Sequence, residues 1–326
     1  MKKTLSFALA VIMLFTLTAC GSSEKSYERS EYTLFDTVTV IKGYADSQES
    51  FMDETGGVIA ELSRLHRLFD IYNEYDGIVN LCTVNSRAGE WVEVDGEIIE
   101  FLLWGRKVAL LTAGEVDITL GAVLKIWHEA RENKVLPDGC ALKAAKKHTG
   151  FDKREIDEEH LRVRLNDSAA SIDAGALAKG WAAERTARVA PSGTLINVGG
   201  NIRAVGAKPD GGAWKLGIQN PDGGVLTAVA VTDGSVVTSG DYQRYFEVGG
   251  VRYCHIIDPD TLYPAAKWRG VSVACASSAL ADALSTALFL MDRESGEALA
   301  RECGAEALWI DADGAVYKTD GFEKME

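Results

Sequence analysis

Positive charge is in short supply in this chain: 34 Lys and Arg stand against 48 Asp and Glu, a formal net charge of −14. That balance argues against nucleic acid as a partner. Cysteine is sparse and unpatterned. With Cys20 set aside, Cys82, Cys140, Cys254, Cys275 and Cys303 are scattered, odd in number and without CxxC spacing, so neither a disulfide framework nor a zinc site is indicated. No segment after the first twenty residues is long and apolar enough to span a bilayer. A Walker loop is absent, as is any Ser/His/Asp order of the hydrolase kind. Gly199–Gly206 (GGNIRAVG) has dinucleotide-fingerprint spacing but runs on into another strand, which excludes Rossmann binding.

What is present begins at the N-terminus. Lys2 and Lys3 precede an apolar run from Leu5 to Leu17, followed by Leu17-Thr18-Ala19-Cys20. This reads as a secretory signal peptide over 1–19. The tetrapeptide resembles a bacterial lipobox, in which Cys20 is lipidated and becomes the mature N-terminus; the alternative is an ordinary signal peptide with an incidental cysteine. Lipidation would make the protein an exported lipoprotein, anchored to the cell membrane on its outer or periplasmic side. Residues 20–30 fit a short polar tether, and 31–326 one large domain.

Periodicity then orders the chain. Leu34–Ile41 alternates and predicts a first strand. Helical spacing predicts a long helix over Gln48–Asp70, loosened at Gly56–Gly57, and others over Gly96–Thr112, Pro137–His148, Ser277–Met291 and Glu294–Cys303. Leu161–Leu165 and Ala169–Ile172 read as a hairpin, and Ser171–Ala190 as strand into helix. From Thr194 the chain is mainly β, including an aromatic hairpin, Tyr242–Val248 and Val251–Ile257, around Gly249–Gly250. Strands and helices fall in blocks rather than βαβ alternation, so the fold class is α+β.

Three places carry candidate chemistry. The return strand of the hairpin ends in His255, Ile257 and Asp258, which brings an imidazole and a carboxylate to one strand end; a surface His beside a turn Asp-Pro reads equally well from these residues. Asp282 and Thr286 share one face of an Ala/Leu helix, where carboxylate and hydroxyl suit Mg²⁺ or Ca²⁺. The competing reading is a solvent-facing Asp and a Thr bonded back to its own helix. Asp173 and Lys179 flank small residues at Gly175 and Gly180 that let a ligand approach the backbone, or are generic surface charges. His66, His128, His148 and His160 read as solvated.

The strand FDTVTV, the segment Glu115–Trp127 (EVDITLG…W), Ser171–Ala182 (SIDAGALAKGWA), Ile196–Asn201 (INVGGN), TSGDYQRYF with HIIDPDTLYP, and Ala279–Leu288 (ALADALSTAL) together resemble the ApbE family of FAD:protein FMN transferases. The motifs stand in family order and cover nearly the whole mature chain. The resemblance implies an ApbE-like α+β domain with a tunnelling-fold-like core, holding FAD beside Mg²⁺. It implies Asp282, Thr286 and the main-chain oxygen of Ala176 as metal ligands, and His255 as the catalytic base. It assigns FAD contacts to Phe35, Tyr72, Glu115, Val116, Asp117, Asp173, Lys179 and Ile257.

The implied reaction moves FMN from FAD to a Thr or Ser hydroxyl of a partner flavoprotein, with release of AMP. Family acceptors present an Asp-x-x-Ser/Thr-Gly-Ala-Ser/Thr segment and are usually electron-transport subunits; this chain has no such string and is expected to modify a partner. The same site would serve a Mg²⁺-dependent FAD pyrophosphatase, with water as acceptor. A non-enzymatic flavin-binding lipoprotein is the rival from another class. Two positions depart from the family pattern: Asn201 stands where Asp is usual, and Leu262 where Gly is usual.

Overall fold

Residues 25–323 are described by the computed structural model; the expected signal peptide at 1–19 and the expected lipidation site Cys20 lie outside them. The chain opens with strands β1 (Lys25–Glu31) and β2 (Thr39–Ala45). Helices α1 (Gln48–Glu54) and α2 (Gly56–Phe69) meet at Thr55, whose N–H and hydroxyl both donate to the Phe51 carbonyl. Then come α3 (Leu81–Ser86), β3 (Val92–Glu93), α4 (Gly96–Leu111), α5 (Gly121–Asn133), α6 (Gly139–Lys146), β4 (Arg154–Asp157), β5 (Arg162–Leu165) and α7 (Ala178–Thr186). The second half holds β6 (Thr194–Val198), β7 (Asn201–Val205), β8 (Trp214–Gln219), β9 (Val225–Val231), β10 (Gly234–Gly240), β11 (Tyr245–Val248), β12 (Val251–Cys254) and β13 (Trp268–Cys275). It closes with α8 (Ser278–Leu290), α9 (Arg293–Glu302), β14 (Glu306–Asp311) and β15 (Val316–Lys318).

Eight strands form one antiparallel sheet in the order β1-β2-β6-β7-β10-β13-β14-β15. Side chains alternate across a strand, and both faces of this sheet are covered. Val237, Val271, Val273, Ala307 and Trp309 point into the helical side, while Val236, Ala274, Leu308 and Ile310 point to the other. There the β8–β9 hairpin lays Trp214, Leu216, Ile218, Val229 and Val231 over the sheet. On the helical side α8 is apolar nearly all round, which is the pattern of a helix enclosed on every face. A third cluster joins α5, α6 and the β11–β12 hairpin through Val123, Trp127, Leu142, Phe246, Ile257 and Leu262. The expected α+β class is the observed one. Among the described residues no helix is long and apolar enough to cross a membrane.

Several boundaries differ from those the sequence suggests. The strand expected over Leu34–Ile41 is β2 and begins at Thr39; Phe35 and Asp36 adopt positive φ in a turn closed by Thr37 N–H to Leu34 O. Residues 25–30 of the expected tether belong to β1, whose Tyr27 stacks on Phe51. Polar composition does not prevent an edge strand when a neighbouring strand accepts its hydrogen bonds. Leu161–Leu165 pairs with Arg154–Asp157 rather than with Ala169–Ile172. Ser239 and Gly240 end strand β10. The aromatic hairpin forms, shortened to β11 and β12.

Leu262 lies at φ +64, the left-handed backbone that explains why glycine suits this position. Its side chain is buried among α5 and α6, and its carbonyl accepts the Trp127 indole N–H at 2.9 Å. Left-handed backbone costs a residue with a Cβ about 1–2 kcal/mol, whereas removing a buried leucine side chain costs about 2–5 kcal/mol. The second effect is larger. Leu262→Gly is therefore expected to lower stability by about 1–3 kcal/mol, read as a fall in the urea midpoint.

Candidate active site

The site is organised by one close approach between helices. A Cβ on Gly180 of α7 would lie 2.3 Å from Asp282 Cβ and 2.5 Å from the Ser278 carbonyl of α8, so only glycine fits this crossing. The closeness lets the Gly180 N–H donate to Asp282 Oδ2 at 2.7 Å. In a regular helix that N–H would reach back to Ala176. Here, among the described residues, the Ala176 carbonyl receives no main-chain hydrogen bond. Asp282 is buried, which rules out the solvent-facing reading. Burial pushes its carboxyl pKa up, against the pull of the Lys179 ammonium, the Gly180 N–H and the Asn201 amide. The Thr286 hydroxyl makes one long bond, 3.4 Å, back to the Asp282 carbonyl.

The segment before α7 is held from three sides. Asn85 on α3 bonds both main-chain groups of Ile172, at 2.8 and 2.9 Å. The Asp173 N–H donates to Ile118 O, and Asp173 Oδ1 accepts from Gly175 N–H at 2.8 Å. Lys179 Nζ donates to Gly175 O at 3.2 Å. The segment is therefore neither strand nor helix but a fixed ledge of small residues leading into α7.

His255 stands just beyond β12. Both its N–H and its ring Nδ1 contact the Arg244 carbonyl, at 3.0 and 3.2 Å. A carbonyl only accepts, so this bond places the proton on Nδ1 and leaves Nε2 as a free base. Water reaches the ring although it is set deep among protein atoms, the arrangement of a cleft floor. Burial, then Arg244, Lys179 and Arg131, hold its pKa below the ordinary imidazole value. The concavity beside it, about 290 Å³ including space open to solvent, is lined by Trp127, His128, Arg131, Phe246, Tyr253 and Ile257 among others.

Two of the histidines that read as solvated are structural parts of this region. His66 accepts the Phe35 N–H at Nδ1, 3.2 Å, and packs edge-on against its ring, which fixes the left-handed Phe35–Asp36 turn. His128 meets the Tyr72 hydroxyl at 2.7 Å. Burial lowers the pKa of both rings and raises that of Tyr72. Tyr72 is in turn positioned by Asp70, which accepts its N–H at 2.7 Å. His148 and His160 lie at the surface beside Asp167 and Asp157, as expected.

Most of the expected site residues converge. Asp282 and His255 both feel Lys179, Tyr72 feels Asp173, and Ile257 lines the concavity with His255. Phe35 is joined to this group through the next residue, because Arg244 Nη2 donates to Asp36 O at 2.8 Å. The segment Glu115–Asp117 is less directly connected. Val116 is buried, Asp117 gives both carboxylate oxygens to Thr119, and Glu115 faces Asp258 and Asp260. Burial, with those two carboxylates, raises the Glu115 pKa. Sequence reading passed over Arg131 and Arg244. Neither they nor Lys179 forms an ion pair among the described residues, so three cations face the cleft without a carboxylate counterion. The helical spacing of Arg131 from Trp127 was the available signal for the first of them.

Among the described residues no three His, Cys, Asp or Glu side chains cluster as a metal site. The donors around Asp282 are of another kind: one buried carboxylate, a hydroxyl and a carbonyl without a main-chain hydrogen bond. That set fits a hard divalent cation. Gly180→Ala is expected to force α7 from α8 and cost about 1–3 kcal/mol of stability. Thermal unfolding would show the loss, together with weakened binding of any ligand that needs the Asp282 site.

Comparison with known proteins places the chain in a family. The model of the ApbE family matches residues 35–309. The chain is 37% identical over 269 residues to the FAD:protein FMN transferase of Treponema pallidum, spanning 74% of this chain and 73% of that protein. It is 27% identical over 310 residues to the transferase of the same name from Haemophilus influenzae, 90% of this chain and 89% of that one. The crystal structure of the ApbE protein of Thermotoga maritima superposes with a TM-score of 0.83 at 31% identity, covering 92% of this chain and 100% of the other. The flavin transferase ApbE of Vibrio cholerae gives 0.77 at 26% identity, covering 92% and 98%. Matched over residues 35–309 and 37% identical to a curated member, the chain belongs to the ApbE family.

Proposed function

We propose that this chain is a Mg²⁺-dependent FAD:protein FMN transferase that moves FMN from FAD to a Thr or Ser hydroxyl of a partner flavoprotein. The observation that carries the reading is His255: Nδ1 tied to a carbonyl, Nε2 free in a cleft ringed by unpaired cations, close to a hard-oxygen donor set. The names of the curated relatives support the same activity. The acceptor is expected to carry an Asp-x-x-Ser/Thr-Gly-Ala-Ser/Thr segment, and the lipobox supports an exported enzyme anchored through Cys20.

The residues divide the work. Nε2 of His255 takes the acceptor hydroxyl proton as the oxygen forms its bond to the FMN-side phosphorus. The phosphoanhydride bond breaks on the other side of that phosphorus, and AMP leaves with the electron pair. The proton passes on to solvent or to the departing phosphate. Arg131, Lys179 and Arg244 offset the charge of the diphosphate, in a place where water is partly excluded and such contacts are strong. Asp282, Thr286 and the Ala176 carbonyl would hold the cation; when bound, Mg²⁺ neutralises diphosphate charge and polarises the attacked phosphorus. Asn201, an amide where the family usually has a carboxylate, sits beside Asp282 without adding a negative charge.

Mass spectrometry of an acceptor fragment incubated with the protein, FAD and Mg²⁺ is the direct test. One FMN phosphoryl adduct on Thr or Ser is expected, lost with EDTA and reduced about 10²–10⁴-fold in rate by His255→Ala. Free FMN and AMP without an adduct would instead identify a pyrophosphatase, and neither product a flavin carrier. The pH profile offers a second check. A base whose pKa is held below the ordinary value keeps its free form on acidification, so the acid limb of kcat/KM is expected well below pH ~6.5. A limb at or above that value would remove His255 as the base.

A further inference from the structure

We propose that α5 carries a phosphate subsite, in which the Arg131 guanidinium and the His128 ring hold oxygens of one phosphate of the dinucleotide. The two residues are spaced i, i+3 and so share a face of the helix. Both line the concavity that holds His255. Arg131 is half-buried, yet among the described residues it has no carboxylate partner and no hydrogen-bond acceptor. An unpaired guanidinium at the concavity is open to an anion, and its planar fork matches two phosphate oxygens.

His128 adds a donor of fixed direction. The Tyr72 hydroxyl lies 2.7 Å from Nδ1. With the phenol donating to Nδ1, the ring proton sits on Nε2, the tautomer an anion in the concavity selects. Asp173, the carboxylate that acts most on His128, accepts the Gly175 N–H at one of its oxygens. The apolar walls supplied by Leu124, Trp127 and Ile257 exclude water from one side and strengthen both contacts. The identity of the anion as a dinucleotide phosphate rests on the transferase reading; the shared chemistry is a phosphate, from either the FMN or the AMP half.

Binding measurements separate the possibilities. The affinities of FAD, FMN and riboflavin are read from flavin fluorescence with Mg²⁺ present, and that of AMP from competition with FAD. Arg131→Gln is expected to weaken FAD about ten- to a hundredfold and to leave riboflavin unchanged. A parallel loss for FMN places the contact on the flavin-side phosphate, and one for AMP on the adenosine side. His128→Phe, which keeps the ring packed on Tyr72, is expected to give a smaller loss of the same pattern. Lys125→Gln, an exposed charge on the same helix, serves as the control and should match the unmodified protein. Unchanged FAD affinity in Arg131→Gln, or an equal loss for riboflavin, would overturn the subsite alone. Failure of the unmodified protein to bind FAD would overturn the functional reading with it.

Discussion

The contact between Gly180 and Asp282 is the constraint on which the cleft depends. It is a steric fact first: two helices cross so closely that any Cβ at position 180 would overlap the neighbouring carboxylate side chain. From that closeness follow two electrostatic results. A buried carboxylate gains a main-chain donor, and a carbonyl one turn earlier loses the partner a regular helix would give it. Lys179, next in sequence to Gly180, is carried to the same place and bonds the ledge at Gly175. Acceptor groups with spare lone pairs are thus made by packing, not by a cluster of acidic residues. That distinguishes this donor set from the dense carboxylate cages that sequence spacing alone can reveal.

Charge is distributed unevenly for a related reason. The chain carries a formal net charge of −14, yet the cleft presents Arg131, Lys179 and Arg244 without counterions. Screening in salt confines the influence of distant acidic residues to about 8–10 Å, so the local cations govern what binds. Burial, and after it these cations, hold the His255 pKa below the ordinary imidazole value. One set of charges therefore favours an anion in the cleft and disfavours protonation of the imidazole beside it.

The cleft walls are tied down at strained or polar points. His66 and Arg244 hold the left-handed Phe35–Asp36 turn from opposite sides, one by its main-chain N–H and the other by its carbonyl. Trp127 holds Leu262 in a backbone conformation that glycine would adopt without strain. In each case the cost falls on a loop next to the site and is offset by contacts with helices that the core already fixes. Arg244 is shared between the turn and His255, so the two sides of the cleft are coupled through one residue.

Local pattern was enough for much of this. Apolar spacing marked α4, α6, α8 and α9, and Gly249–Gly250 marked the hairpin, because these signals lie within a few neighbouring residues. An imidazole at a strand end, and an Asp and a Thr inside an Ala/Leu helix, stood out for the same reason. The edge strand β1 did not, since a polar segment becomes a strand only when β2 offers it hydrogen bonds. Nor did the roles of His66 and His128, which as sequence are polar residues among charged neighbours. Their environments are made by Phe35 and Tyr72, distant in the chain, and burial is a property of what packs against a residue. Arg131 and Arg244 do not stand out as sequence; the fold shows that, among the described residues, neither forms an ion pair. The sequence by itself determined the elements, the class and the family motifs; the tertiary structure alone decided which polar groups are left without partners, because pairing depends on distance in space and not along the chain.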